Sequence, residues 1–323
     1  MFVRLDTLTK AAAGAGYGIP APTVYNSSSV GWCFAACQQM RAPLILSCNE
    51  KVGDYLEMAD FAKYFERRYP EVSVALALDH GTGIETAIDA IRAGYTSVMV
   101  DRGEEPPEEN ARYLKEVCRM AHAMNVSVEG ALGGCGRNAT PEEIEATKTK
   151  VDEAIWYCRQ TGVDALAVAV GAAHGDYPYG APVIDFALIA ELKRSIPATL
   201  VMHGASFTRH EALARSAKAG ITKFNVFGEL STGAMERAKK VYAMDGDDRR
   251  RLFLLDDEIE IGYRESLCGL IQLFGCKNRW WGKNGNLYFG NFARQSLRGT
   301  GAFGRDDYGN DREYRNASPA GRR

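Results

Sequence analysis

Val74-Ala75-Leu76-Ala77-Leu78-Asp79-His80-Gly81, VALALDHG, is an apolar run of strand length that stops on an acid and an imidazole. A run with so little polar alternation fits a parallel strand buried on both faces. Any polar residue would serve to end it. Asp beside His suggests chemistry, but one such pair is weak evidence, and its meaning depends on how the other strands end.

Working outward, seven more β-type runs recur: Tyr17–Asn26, Pro43–Asn49, Thr96–Asp101, Val126–Gly133, Ala165–Gly171, Ala198–Gly204 and Ile221–Val226, with Val72–His80 as the third of eight. Helical spacing lies between them. Ile84, Ala87, Ile88 and Ile91 share one face, as do Leu114, Val117, Ala121 and Met124, and Ile184, Leu188 and Leu192. "PPEEN" at 106–110 places Pro and acids in a first helical turn, and Gly94 and Gly220 stand where helices should stop. Eight β–α alternations predict an α/β fold, a (β/α)₈ TIM barrel, with an open doubly wound sheet as the alternative. Residues 236–276 continue as helix after the eighth strand, so 1–276 reads as one barrel domain with an extra C-terminal helix. From 277 to 323 the chain is rich in Gly, Arg and Asn without periodicity, and reads as a poorly ordered tail.

The 323 residues, 46% of them hydrophobic, suffice for a large core, and a formal charge of −2 argues against a nucleic-acid or anionic-membrane partner. No apolar run approaches the ~18 residues of a membrane span, and MFVRLDTLTK is not a secretory signal. Eight cysteines without a C-x-x-C pair do not make a disulfide scaffold. Cys33 and Cys37, one helical turn apart, read as core, and a cytoplasmic setting is expected.

In a barrel, the carboxyl ends of all strands meet at one mouth. Strand three ends in Asp79-His80, strand four in Asp101, strand six runs into His174, and strand seven ends at His203. Strand five carries Glu129, strand eight Asn225, and the first two strands end at Asn26 and Ser47. Three of the five histidines therefore fall at strand ends, whereas His122 and His210 lie in helical sequence. Three imidazoles with one open position are the ligand set of a catalytic zinc site, and such zinc polarises a carbonyl. Asp79 would serve as general acid/base or as a support for a histidine; Asp101 and Glu129 would support the ligands or form a second cation site. Gly204-Ala205-Ser206 and the segment from Asn225 follow strands seven and eight, where many barrels bind phosphate through backbone N–H groups. Lys223, on the same strand face as Asn225, is the candidate for a Schiff-base alternative.

These segments together resemble the class II, metal-dependent fructose-bisphosphate and tagatose-bisphosphate aldolases. The resemblance rests on "YGIPA", "VALALDHGTGIETAIDAIRAGYTSVMVD", "PEEN", "AHAMNVSVE", "TGVDALAVAVGAAHG", "IDFALIAELK", "LVMHGAS", "ITKFNV" and "LIQLFG", over residues 1–276. It implies His80, His174 and His203 as zinc ligands, Asp79 as the acid/base at the aldehyde oxygen, and Asp101 as an alternative or second-metal ligand. A second divalent or a monovalent cation belongs to the same implication. Ser47, Gly175, Gly204, Ala205, Ser206 and Asn225 match substrate contacts. The implied reaction is reversible cleavage of a ketose bisphosphate to dihydroxyacetone phosphate and an aldehyde, in a homo-oligomer (dimer or tetramer).

The chain also departs from the family pattern. "VEGALG" puts Ala131 where a second acid is expected, and "GGCGRNATPEE" lacks the loop carboxylate that removes the carbon-bound proton, leaving Glu142 or Glu143 as displaced candidates. Thr23 replaces Asn, Phe207 follows "HGAS" in place of Gly, and Phe227-Gly228 replaces an acidic-or-amide residue plus Thr. A divergent member is expected, either of low activity or acting on a different carbonyl substrate, with a zinc-retaining but inactive sugar-phosphate binder as the alternative.

Overall fold

The computed structural model describes residues 1–103, 105–134, 138–175, 177–244 and 251–279. Eight parallel strands follow one another around a closed ring: β1 (Ile19–Val24), β2 (Leu44–Asn49), β3 (Val74–Gly81), β4 (Ser97–Val100), β5 (Ser127–Leu132), β6 (Ala165–Val168), β7 (Thr199–Met202) and β8 (Ile221–Val226). Ile19 to Pro22 pair with Lys223 to Val226, and this register closes the sheet. All eight expected runs form strands, and the open-sheet alternative is excluded. The C-terminal tail 277–323 expected to be poorly ordered falls, apart from 277–279, outside the described residues.

Helices alternate with the strands: α1 (Leu5–Ala15), α2 (Ser27–Met40), α3 (Tyr55–Arg68), α4 (Ile84–Ala93), α5 (Pro107–Ala123), α6 (Pro141–Ala146), α7 (Val151–Thr161), α8 (Phe186–Ser195), α9 (His210–Ala219), α10 (Gly228–Tyr242) and α11 (Arg251–Leu273). Their local signals match the sequence. Glu108 and Glu109 occupy the first turn of α5, Gly94 ends α4 at φ 102°, and Cys33 and Cys37 are buried in α2. No helix among the described residues is long and apolar enough to cross a membrane.

Three details differ from the sequence reading. Met124 is 63% exposed, because α5 ends at Ala123 and the chain turns through Asn125 at φ 58°. β1 stops at Val24, and Asn26 instead caps α2 by accepting from the Ser29 N–H. β2 continues past Ser47 to Asn49, which pairs with Asp79, so Ser47 sits within the strand.

Helix α1, unforeseen from the sequence, seals the bottom of the barrel. Its Leu5, Leu8 and Ala12 are fully buried, and Thr199 Oγ1 lies 2.9 Å from Thr9 Oγ1. Asp6 accepts from Arg4 (2.8 Å), Lys10 (2.7 Å) and Ser127 Oγ (3.0 Å). Arg4 also reaches Asp164, which takes a hydrogen bond from the Val128 N–H and is paired with His122 at 2.8 Å. His122 therefore belongs to the floor of the barrel. At the C-terminal side, Phe274 stacks on Phe224 at 4.1 Å, and its carbonyl accepts from the Gly18 N–H.

Burial alone would raise the Asp6 carboxyl, but the hydrogen bonds from Lys10, Arg4 and Ser127 overcome that and hold it at about 2, below the ordinary 3.8. Its contribution is thus present above the ordinary value and lost as pH falls through the folded one. Asp6→Asn is expected to lower stability by about 1 kcal/mol at neutral pH, allowing for solvent screening. In denaturant titrations over a pH series, the gap from wild type should close below about pH 2.

Candidate metal centre and active site

The decisive local feature lies in β3. Leu78 pairs with Val98 and Gly81 with Val100, so three steps along β3 span two along β4. One extra residue is accommodated there as a bulge, and His80 takes a left-handed φ of 54°. In a regular strand Asp79 and His80 would face opposite sides of the sheet. The bulge breaks the alternation, and both side chains line the mouth. Left-handed backbone at a non-glycine residue costs on the order of 1 kcal/mol. Gly81 then passes so close to β4 that a Cβ would come within 2.8 Å of the Met99 carbonyl.

The other two imidazoles arrive on loops stapled together by Tyr177. Its hydroxyl accepts from the Ala173 N–H at 3.0 Å and lies 2.9 and 3.0 Å from the carbonyls of Ala173 and Gly204. This fixes the residues flanking His174 and His203. Gly204 has φ 67°, and a Cβ there would approach the Ala173 carbonyl to 2.2 Å, so only glycine fits.

His80, His174 and His203 thus present ligand nitrogens that all lie within 4.8 Å of one another. His203 Nδ1 and His80 Nε2 are 3.1 Å apart. Two ligands of a tetrahedral zinc ion at ordinary Zn–N lengths are about 3.3 Å apart, so the spacing fits a shared ion. The far nitrogens are held by carboxylates: His80 Nδ1 by Asp101 Oδ2 at 2.6 Å, and His203 Nε2 by Glu129 Oε1 at 2.9 Å. Such partners fix ring orientation and leave the near nitrogens for the metal. Burial, with His203 and His80 beside it, pushes His174 down to about 4, which keeps it neutral for ligation.

Behind the imidazoles lies a buried polar layer. Lys223, 1% exposed, donates to Glu129 Oε2 at 2.7 Å. Asn225 Nδ2 donates to both oxygens of Asp79 at 3.0 and 3.2 Å, while Asn225 Oδ1 has no protein partner. Burial would raise the Asp79 carboxyl, but His80, Lys223, His203 and the Asn225 hydrogen bond outweigh it and hold it below the usual range. Burial likewise opposes ionisation of Glu129, and Lys223 and His203 overcome it. Asp79, Glu129 and His203 also lie within 4.8 Å of one another, but Lys223 already supplies the cation there. The same pairing engages the Lys223 nitrogen on which a Schiff base would have to form.

Asp79, His80, His174, Gly175, Gly204, Ser206 and Asn225 line one cavity of about 210 Å³, together with Thr23, Asn49, Phe207 and Phe227. Ala205 is fully buried behind this wall, and Ser47, also fully buried, does not line it; Asn49 stands at the strand end instead. A second cavity of about 140 Å³ lies on the β4–β6 side, between the imidazoles and Ala131. Asp101 borders it, hydrogen-bonded to the outer nitrogen of His80, which holds its carboxyl at about 2. Glu143 caps α6 in a reciprocal pair with Thr140, and His210 pairs with Glu229 outside the mouth. The stretch 135–137 lies outside the described residues. Glu129–Lys223 as a buried pair and Tyr177 as a staple were not found from sequence; only the shared strand face of Lys223 and Asn225 hinted at the first.

A closed eight-stranded barrel with a three-imidazole, carboxylate-supported cluster at its mouth defines a (β/α)₈ barrel with a candidate metal site. The model of the family "Fructose-bisphosphate aldolase class-II" matches residues 3–279, and the chain belongs to that family and is an aldolase, a carbon–carbon lyase. It is 37% identical to the fructose-bisphosphate aldolase of Thermus caldophilus over 248 residues, covering 74% of this chain and 79% of that protein. The Helicobacter pylori fructose-bisphosphate aldolase is 32% identical over 283 residues, covering 78% and 92%. Among solved structures, the YdjI aldolase of Escherichia coli K12 superposes with a TM-score of 0.76 at 25% identity, covering 86% and 98% of the two chains. The Campylobacter jejuni fructose-bisphosphate aldolase, TM-score 0.73 at 17% identity over 86% and 96%, shares the fold.

Two outcomes follow from this geometry. Asp101→Asn should weaken zinc binding about tenfold to a hundredfold in chelator-competition titrations, since His80 loses its orienting carboxylate. Lys223→Met should cost about 3–5 kcal/mol in denaturant unfolding by stranding Glu129, and Lys223→Met with Glu129→Gln should recover much of it.

Proposed function

We propose that this aldolase is zinc-dependent and cleaves, reversibly, the carbon–carbon bond of a phosphorylated ketose, with the fructose- and tagatose-bisphosphate type as the first substrates to test. The observation that carries this reading is the convergence of His80, His174 and His203 beside the buried Asp79 carboxylate. These donors suit zinc, which when bound would polarise the ketone as a Lewis acid.

Asp79 supplies the proton chemistry. It faces the cavity, is held ionised by its cationic surroundings, and is positioned by two hydrogen bonds from Asn225. In the cleavage direction its carboxylate takes the proton from the hydroxyl on the carbon that becomes the aldehyde. The carbon–carbon bond breaks, and its electron pair stays with the ketone fragment. In the addition direction Asp79 returns that proton to the new hydroxyl. Asn225 Oδ1, buried without a partner, is placed to accept from a substrate hydroxyl. A homo-oligomer, from the resemblance, and a cytoplasmic setting, from the sparse cysteines, belong to the same proposal.

A second reading, a zinc-retaining barrel with little or no turnover, is favoured by two observations. Ala131 offers no acid beside the imidazoles, and the Glu143 carboxylate is engaged in capping α6. Among the described residues no carboxylate from that loop stands ready to handle the carbon-bound proton.

Retro-aldol assays with fructose and tagatose bisphosphates and with the corresponding 6-phosphates, run with zinc, after chelation, and in Asp79→Ala, decide between these. Cleavage should vanish on chelation and return with zinc, and Asp79→Ala should lose about 10²–10⁴ in rate. Cleavage that survives chelation would overturn zinc dependence; ligand binding without cleavage would select the second reading.

A further inference from the structure

We propose that the β7–β8 side of the mouth receives an uncharged hydroxymethyl-ketone terminus, not a phosphate dianion, and that Phe207 is the residue that sets this specificity. The inference rests on the aldol reading above and narrows its substrate to a ketose phosphorylated only on the fragment that leaves as the aldehyde.

Helix α10 begins at Gly228, and its first free N–H groups are the natural seat for a phosphate at this mouth. Two of the N–H groups at this end are already engaged. The N–H groups of Phe227 and Gly228 both donate to Ser206 Oγ, at 3.2 and 3.1 Å. The ring of Phe207 lies directly over the same turn, since a Cβ built on Gly228 would meet its Cε2 and Cζ at 2.6 Å. The ring thus fills the space that a side chain at 228 would occupy. The two positions form a reciprocal pair, with bulk at 207 requiring glycine at 228.

Phe207 holds this place at a conformational cost. Its φ is 66°, a region where glycine is free and a side chain is strained. Strain of this kind persists where the surroundings impose it and clusters at ligand-binding positions. The neighbouring wall is also apolar. Phe227 is 40% exposed to the cavity mouth and edge-on to Tyr25 at 6.1 Å, and Val52 and Val226 complete the lining. Among the described residues lining this cavity there is no lysine or arginine, and Asp79 is an anion. Lys223 lies beneath, tied to Glu129. A dianion placed here would lose water against the negative faces of phenyl rings without gaining a lysine or arginine partner. On the other side of His80, a space of about 350 Å³ is lined by Lys51, Asp101, Arg102 and Glu105; Arg102 is paired with Glu105 at 2.7 Å, which leaves Lys51 to meet an anionic group on the opposite end of the substrate.

The test compares the zinc-loaded wild type with Phe207→Gly, Phe207→Ala and the double variant Phe207→Gly/Gly228→Thr. Isothermal calorimetry with inorganic phosphate and with dihydroxyacetone phosphate reads the subsite without requiring turnover. Both should bind the double variant about tenfold or more tighter than wild type. Phe207→Ala, which removes the ring while keeping a Cβ, should move in the same direction and guards against misfolding of the double variant. In aldol addition, the wild type should use dihydroxyacetone with glyceraldehyde 3-phosphate better, by about tenfold in kcat/KM, than dihydroxyacetone phosphate with glyceraldehyde. The double variant should invert that preference. Phosphate affinity equal in all four proteins, or a wild-type preference for dihydroxyacetone phosphate, would overturn the proposal. If no donor reacts in any protein, the aldol reading fails, while the phosphate titrations still decide the role of Phe207.

Discussion

One inserted residue in β3 controls the site. Without the bulge between Leu78 and Gly81, alternation would direct either Asp79 or His80 toward the helices, and the mouth would receive the acid or the imidazole but not both. The left-handed turn at His80 and the close passage of Gly81 along β4 are the local cost of placing two reactive groups side by side. The other imidazoles solve a simpler problem, because they sit on loops, and a single hydroxyl from Tyr177 ties those loops together.

The charged layer beneath the imidazoles explains how a barrel interior tolerates so many ionisable groups. Asp79, Glu129 and Lys223 are each almost fully buried, and isolated charges there would be prohibitive. They are stable because each is shared: Lys223 with Glu129, Glu129 with His203, Asp79 with Asn225. The network engages the lysine and at the same time keeps the acid ionised and aimed. Specificity, in contrast, is written at the rim, where Phe207 and Gly228 exchange volume across the first turn of α10.

Much of this was legible in the sequence because parallel barrel strands are apolar throughout and end abruptly. VALALDHG, LVMHGAS and ITKFNV each announced a strand and the polar residue that follows it, and three histidines at such ends pointed to one centre. What could not be read was three-dimensional in origin. Ser47 and Asn49 share a strand face, and only the register with β3 shows that the latter reaches the mouth. The pairing of Lys223 with Glu129 joins residues 94 apart in the chain, and no local pattern marks it. Helix α1 escaped because its buried face of Leu5, Leu8 and Ala12 precedes the first strand and so lies outside the β–α alternation that marks the other helices. The bulge leaves no compositional trace beyond a glycine after the histidine.

The plug formed by α1 makes the barrel a blind vessel. Leu5, Leu8 and Ala12 close the floor completely, so whatever enters by the rim must leave by the same door.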